Sequence, residues 1–278
     1  MKERLDKLLV VRALAATREK AQALIMAGCV RVNGAPAAKA GSRVDFGADI
    51  VVTGKDHPYV SRGGVKLEAA LKALSLDPAG LVCMDIGAST GGFTHCLLLH
   101  GARRVYAVDV GYGQLAWELR NHPGVRVLER SNIRTLPAEA VPEPVQLAVA
   151  DVSFIALTQV LREIVRFLAP GGAVLGLVKP QFEAGREQVG RGGRVTDEAV
   201  HAQVLDRVRE AGSALGLAPV GHVESPITGK KSGNREYFVL WRDRRRAGGM
   251  EQSQSHAADS TVQPRDAERP ASKSASGT

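Results

Sequence analysis

Four side chains in this sequence could move a proton if the fold brought them together. They are Lys66 in "VSRGGVKLEAAL", Asp151 in "ADVSFI", Lys179 in "GLVKPQFE" and Glu236 in "GNREYF". A lysine at its reference pKa of about 10.4 is a poor base at neutral pH, so burial or a second cation must lower it, and carboxylates can orient the ammonium groups. Taken singly, each lysine reads as a surface residue. Lys179 is the exception, because the stretch before it, "AVLGLV", is an apolar strand. A lysine at the end of such a strand needs a partner or a task.

A second set of residues points to a cofactor. "DIGASTGGFT", residues 85–94, follows an apolar strand and leads into a helical pattern, and it lacks the G-x-G-x-x-G of dinucleotide-binding loops. The next strand, "RVYAVDVG", ends at Asp109, about 20 residues on, where an acidic side chain can accept from both hydroxyls of a ribose. Asn132 in "RSNIR" follows the strand after that. Helix capping explains Asp85 or Asp109 alone. Both together with the glycine pattern resemble the S-adenosylmethionine site of class I methyltransferases. The expected cofactor contacts are Asp85, Gly87, Ser89, Gly91, Gly92, Phe93, Asp109, Asn132 and Asp151.

The acceptor should be legible beside the cofactor. Enzymes that methylate an exocyclic amino group typically carry an Asn or Asp, two prolines and an aromatic after the fourth strand, and carbon-5 methylation of pyrimidines needs a cysteine nucleophile. Here that place reads "ADVSFI", with neither prolines nor cysteine. The pattern disfavours a base nitrogen or base carbon as acceptor.

These residues must be positioned by a sheet. From Leu81 onward apolar strands alternate with helical patterns, among them "LVCMDIGA", "GQLAWELRN", "LTQVLREIVRFLA" and "DEAVHAQVLDRVREAGSALG". That alternation predicts an α/β fold, a mostly parallel sheet with helices on both faces and an antiparallel last strand. Asp151, Lys179 and Glu236 then fall at or near strand ends and Lys66 opens a helix, so all four could meet at one rim.

The amino-terminal part reads as a small α+β module. "ERLDKLLVVRAL" places Leu5, Leu8, Leu9 and Val11 near one helical face, and Thr17 is a plausible N-cap for "REKAQALIMAG", which Gly28 stops. "VRVNGAPA" reads as a hairpin turning at Asn33-Gly34. The expected divisions are residues 1–60, 61–246 and 247–278, the last a tail almost without large apolar residues and therefore disordered.

Composition bounds the function. The chain has 278 residues, 44% of them hydrophobic, and neither a membrane-spanning apolar run nor a signal peptide is apparent, so a cytoplasmic location is expected. Three cysteines, Cys29, Cys83 and Cys96, and scattered histidines offer neither a disulfide framework nor metal-ligand spacing. They are expected to be reduced and mostly buried. The net charge of +8 suggests a polyanionic partner, and residues 1–62 hold eleven Lys and Arg against six Asp and Glu. Arg4, Lys7, Arg18, Lys20, Arg31 and Arg62 are the candidate RNA contacts.

The amino-terminal "RLDKLLVV" and "ATREKAQALIMAGCVRVNGAPA" resemble the S4 fold of RNA-binding proteins. The set Lys66, Asp151, Lys179 and Glu236 resembles the catalytic tetrad of FtsJ-like ribose 2′-O-methyltransferases. With "GASTGGFT", "DVGYGQLAW" and "VLERSNIR" added, about nine-tenths of the chain resembles the TlyA family, ribosomal RNA 2′-O-methyltransferases acting on cytidine and historically labelled hemolysin A. The resemblance implies S-adenosylmethionine as cofactor, 23S ribosomal RNA or ribosomal subunits as partner with 16S left open, no metal, and a monomer. It supplies no role for the tail. Two other functional classes fit the sequence less well. A membrane-lytic protein lacks its spanning run or long basic amphipathic helix, and a non-catalytic ribosome-assembly factor would have no use for an intact tetrad.

Overall fold

A computed structural model describes residues 2–37, 39–53, 57–229 and 233–245. The expected boundary at residue 246 and the tail 247–278 lie outside the described residues.

The amino-terminal module runs β1 (Lys2–Arg4), α1 (Leu5–Val11), α2 (Arg18–Met26), β2 (Val30–Val32), β3 (Ala35–Pro36), β4 (Arg43–Asp45) and β5 (Ile50–Val52). Leu5, Leu8 and Leu9 share a face with Ile25, Val30 and Ile50 in a core of their own. Thr17 accepts from Lys20 N–H at 3.2 Å and caps α2. Asn33 and Gly34 both take positive φ, 50° and 78°, and turn the β2–β3 hairpin. Val11 departs from expectation. Six residues after Leu5 the helix has turned it away from that face, and it is 66% exposed. Pairing of β1 with β4, and of β2 with β5, was not foreseen; strands of three residues carry too short a pattern to read.

The second part is one seven-stranded sheet. Its elements are α3 (Gly63–Ala73), β6 (Val82–Ile86), α4 (Gly92–Leu99), β7 (Arg104–Val108), α5 (Trp117–Arg120), β8 (Val125–Leu128), β9 (Val145–Ala150), α6 (Leu161–Val165), β10 (Leu168–Val178), α7 (Pro180–Glu183), α8 (Glu198–Ala214), β11 (Leu217–Glu224) and β12 (Tyr237–Asp243). The spatial order is β11-β12-β10-β9-β6-β7-β8. Strands β8, β7, β6, β9 and β10 run parallel, while β12 is antiparallel to both β10 and β11. This is the expected fold: a mostly parallel α/β sheet whose last strand is inserted antiparallel.

Side-chain alternation gives the sheet two buried faces. Val82, Met84 and Ile86 of β6 point into a core shared with Leu161 of α6 and Val204 of α8. Cys83 points the other way, against Leu67 of α3 and Leu97 of α4. Two helical readings prove shorter than expected. The chain from Gly111 to Ala116 turns before α5, and a separate 3-10 turn at Leu157–Gln159 precedes α6. All three cysteines are buried and free of disulfides.

Candidate active site

The glycine loop joins β6 to α4 at the carboxyl end of the sheet, beside the end of the neighbouring strand β9. Gly87 has φ of +83°, and a Cβ there would lie 2.6 Å from the carbonyl oxygen of Asp151. Only glycine lets the loop pass this close to the end of β9. On the far side, a Cβ at Gly92 would lie 2.2 Å from Ser61 Oγ, so α4 also begins hard against the segment leading into α3.

Two connected hollows flank the loop and share Gly87, Ser89 and Asp151. The larger, of about 570 Å³, is lined by Asp109, Asn132, Ile133, Ser153 and Phe154. The smaller, of about 200 Å³, is lined by Arg62, Lys66, Gly92 and Phe93.

Asp109 lies at the rim where expected. Its Oδ2 accepts from Ser89 N–H at 2.7 Å and its Oδ1 from Gly111 N–H at 2.6 Å. Each carboxylate oxygen has two acceptor sites, so both retain capacity for a further donor. Asn132 lines the same hollow while its Oδ1 accepts from Arg134 N–H at 3.0 Å.

Two expected cofactor contacts, Asp85 and Gly91, line neither hollow. Asp85 is fully buried and is not among the lining residues. Its Oδ2 accepts from Thr94 N–H at 2.9 Å and from Thr94 Oγ1 at 2.6 Å, which ties β6 to the first turn of α4. Burial pushes its carboxyl up to about 7, against the lowering effect of the Thr94 bonds. Asp85 supports the loop from below. Gly91 faces Leu115 and Leu119 and lines neither hollow. Phe93 borders the smaller hollow but is 3% exposed, packed on Phe238.

The four proton-handling candidates form two ion pairs. Lys66 Nζ lies 2.5 Å from Glu236 Oε2, both side chains buried. Lys179 Nζ lies 2.5 Å from Asp151 Oδ1 and donates to Val152 O at 3.0 Å and Ser153 Oγ at 2.8 Å. Sheet order accounts for the meeting: Asp151 directly follows β9, Lys179 directly follows the adjacent β10, and Glu236 directly precedes β12, whose Tyr237 pairs with Val178. Lys66 and Asp151 line the same hollow. Both lysines are held among acceptors, so the buried charges are compensated.

Sequence reading passed over Ser153, Phe154 and Glu183, although all three lie inside motifs it singled out. Nothing in residue type marks Phe154 as displayed; the structure shows it 87% exposed with φ of +65°.

Of the expected RNA contacts, Lys7 and Lys20 are exposed, and Arg31 donates to Gly34 O at 3.1 Å. Arg4 and Arg18 both pair with the buried Asp6, at 2.8 and 3.1 Å, and hold its carboxyl below the usual carboxylate range. These two arginines therefore serve the module's fold with one edge of each guanidinium. Arg62 borders the smaller hollow. Among the described residues, no group of three or more His, Cys, Asp or Glu could hold a metal ion, and no helix is long and apolar enough to cross a membrane.

Comparison with known proteins agrees with this geometry. The family model for the FtsJ-like methyltransferases matches residues 59–243, and that for the S4 domain matches residues 3–50. The 16S/23S rRNA (cytidine-2′-O)-methyltransferase TlyA of Mycobacterium tuberculosis is 50% identical over 239 residues, covering 86% of this chain and 88% of that protein. Hemolysin A of Brachyspira hyodysenteriae is 39% identical over 237 residues, covering 85% and 98%. A solved Streptococcus thermophilus structure carrying a hemolysin label is 42% identical, covers 87% of this chain and 88% of its own, and superposes with a TM-score of 0.69. The chain belongs to the FtsJ-like methyltransferase family, in the TlyA branch that joins this domain to an amino-terminal S4 domain.

Proposed function

We propose that this chain methylates the ribose 2′-hydroxyl of cytidine in ribosomal RNA, with S-adenosylmethionine as donor. The observation that carries the reading is the pair of lysine–carboxylate contacts, the buried Lys66–Glu236 and the half-buried Lys179–Asp151, beside the glycine loop. The name of the Mycobacterium tuberculosis relative supports the substrate.

The residues present fit the cofactor. The close approach of Gly87 to Asp151 leaves a cradle that a Cβ would fill, and the two hollows that meet there suit an adenosine moiety on the Asp109 side and an amino-acid tail on the Arg62 side. When bound, the cofactor supplies an electrophilic methyl group on a sulfonium centre. The chain's own residues must then hold the hydroxyl in line and accept its proton.

In the structure the Lys179 ammonium donates to Val152 O and Ser153 Oγ and stands in ion-pair contact with Asp151 Oδ1. To act as base it must first lose one proton, which leaves two donors and a lone pair. Ser153 can accompany that change, because its hydroxyl can accept from the ammonium or donate to another acceptor. Lys66, fixed by Glu236 and lining the same hollow as Asp151, supplies a positive charge that favours an alkoxide-like oxygen. Phe154, displayed at the rim of the larger hollow, offers a flat face on which a nucleobase can stack. The S4 domain, with Lys7 and Lys20 exposed, adds electrostatic attraction to the RNA backbone.

The test is methyl transfer from a labelled cofactor to unmodified ribosomal RNA, followed by alkaline hydrolysis. A 2′-O-methyl group removes the nucleophile that cleaves the adjacent phosphodiester, so label should be recovered in an alkali-resistant dinucleotide beginning with cytidine. Label in a mononucleotide would place the methyl on a base and contradict the proposal.

A further inference from the structure

The segment from Lys179 to Glu183 holds the 151–158 loop at three points. At its start, Lys179 binds Asp151, Val152 O and Ser153 Oγ. In the middle, the rings of Phe182 and Phe154 stand 5.7 Å apart. At the far end, Glu183 Oε1 accepts from Leu157 N–H at 2.5 Å and Oε2 from Thr158 Oγ1 at 3.1 Å.

Glu183 is 8% exposed, and nothing about a methyl acceptor requires a buried carboxylate there. Burial raises its carboxyl above the ordinary glutamate range, opposed by the bonds from Leu157 and Thr158 and by the nearby Arg207. Arg207 of α8 donates to the Glu183 carbonyl at 2.9 Å, which fixes the end of α7. The Leu157 side chain in turn lies directly over Gly176, where a Cβ would come within 2.4 Å of it. Along the loop path that makes both contacts, Phe154 takes a left-handed backbone conformation and faces outward.

We infer that Glu183 is a positioning residue for methyl transfer: by holding Leu157 N–H and Thr158 Oγ1 it sets where Asp151, Ser153 and Phe154 stand against the acceptor nucleotide. The inference rests on the proposed reaction and adds a determinant of its geometry. A carboxylate distant from the reacting atoms can matter this much because a misplacement of about 1 Å costs about a hundredfold in rate.

The experiment compares full-length Glu183→Ala, Glu183→Asp and Glu183→Gln with the unaltered chain, measuring kcat and KM for ribosomal RNA and cofactor affinity by calorimetry. Asp keeps the charge but is one methylene too short to reach both donors; Gln keeps the reach, with its carbonyl for Leu157 N–H and its amide toward Thr158 Oγ1. The expected result is a kcat lowered at least about tenfold in Ala and Asp, within about threefold of normal in Gln, and cofactor affinity unchanged in all. Wild-type kcat in Asp, or cofactor affinity falling in step with kcat, would overturn the inference, and Asp decides if Ala does not fold. An unaltered chain that methylates no RNA would count against the proposed function instead.

Discussion

Lys66 Nζ and Glu236 Oε2 stand 2.5 Å apart although 170 residues separate them in the chain. The pair joins α3, which precedes the sheet, to the start of β12, its last strand. Removing one partner leaves the other as an uncompensated buried charge, which costs about 3–5 kcal/mol. Lys66→Met should therefore destabilise the protein on that scale in urea unfolding. The double variant Lys66→Met/Glu236→Leu should recover most of that stability yet remain inactive in methyl transfer. A stable and fully active double variant would remove both residues from the chemistry.

Gly87 provides a test of the cofactor cradle. Gly87→Ala forces a left-handed alanine and a 2.6 Å contact with Asp151 O, so calorimetry should show cofactor affinity reduced at least about tenfold. Gly80→Ala is the control, since Gly80 also has positive φ, +73°, but nothing within 4 Å of an added Cβ. It should lose stability on the order of 1 kcal/mol and keep its affinity. Equal losses of affinity in the two variants would contradict the cradle.

Asp85 predicts a particular pH dependence. Its folded carboxyl is raised to about 7 from 3.8, so the folded state holds the proton more tightly than the unfolded chain. Its contribution to stability is complete below the unfolded value and is lost as pH rises toward 7. Asp6 acts in the opposite sense: its lowered carboxyl contributes above the ordinary carboxylate value and loses that contribution in acid. The informative quantity is thus the difference between Asp85→Asn and the unaltered chain. That difference in melting temperature should move in favour of Asn between pH 5 and pH 8. A constant difference would mean that Asp85 keeps an ordinary carboxyl.

The sheet and the four-residue centre were legible because each rests on a strong local signal. Near-continuous apolar strands mark a parallel sheet, and residues that directly follow or precede such strands are brought to its rim. Lys179 was conspicuous for that reason. Less legible were features set by tertiary contact. Asp85 looks like a ligand contact in "DIGAST", but alternation along β6 aims its side chain to the Cys83 face, beneath α4, where it meets Thr94. Arg4 and Arg18 read as free basic residues, and only the fold shows Asp6 between them. Glu183 was overlooked because its partner is a backbone amide, which leaves no trace in the spacing of residue types.

Phe154 should act on the RNA alone. Stacking of one base on an aromatic ring is worth about 1–3 kcal/mol, so Phe154→Ala should raise KM for ribosomal RNA by about 5-fold to 150-fold. Because the ring is 87% exposed, melting temperature and cofactor affinity should stay near those of the unaltered chain. Unchanged KM in steady-state methylation assays would show that the ring is not part of the RNA seat.

Lys179 bears most directly on the central claim, that this centre removes the proton of a ribose hydroxyl. The deciding measurement is single-turnover methyl transfer to ribosomal RNA by Lys179→Ala and Lys179→Arg, each first shown by calorimetry to bind the cofactor normally. Loss of a general base costs at least about a hundredfold, so Ala should be slowed by that much. Arg keeps the positive charge but cannot deprotonate, and should be nearly as slow. Transfer by Lys179→Arg at close to the unaltered rate would contradict the account, since a fixed cation would then suffice and the base would lie elsewhere.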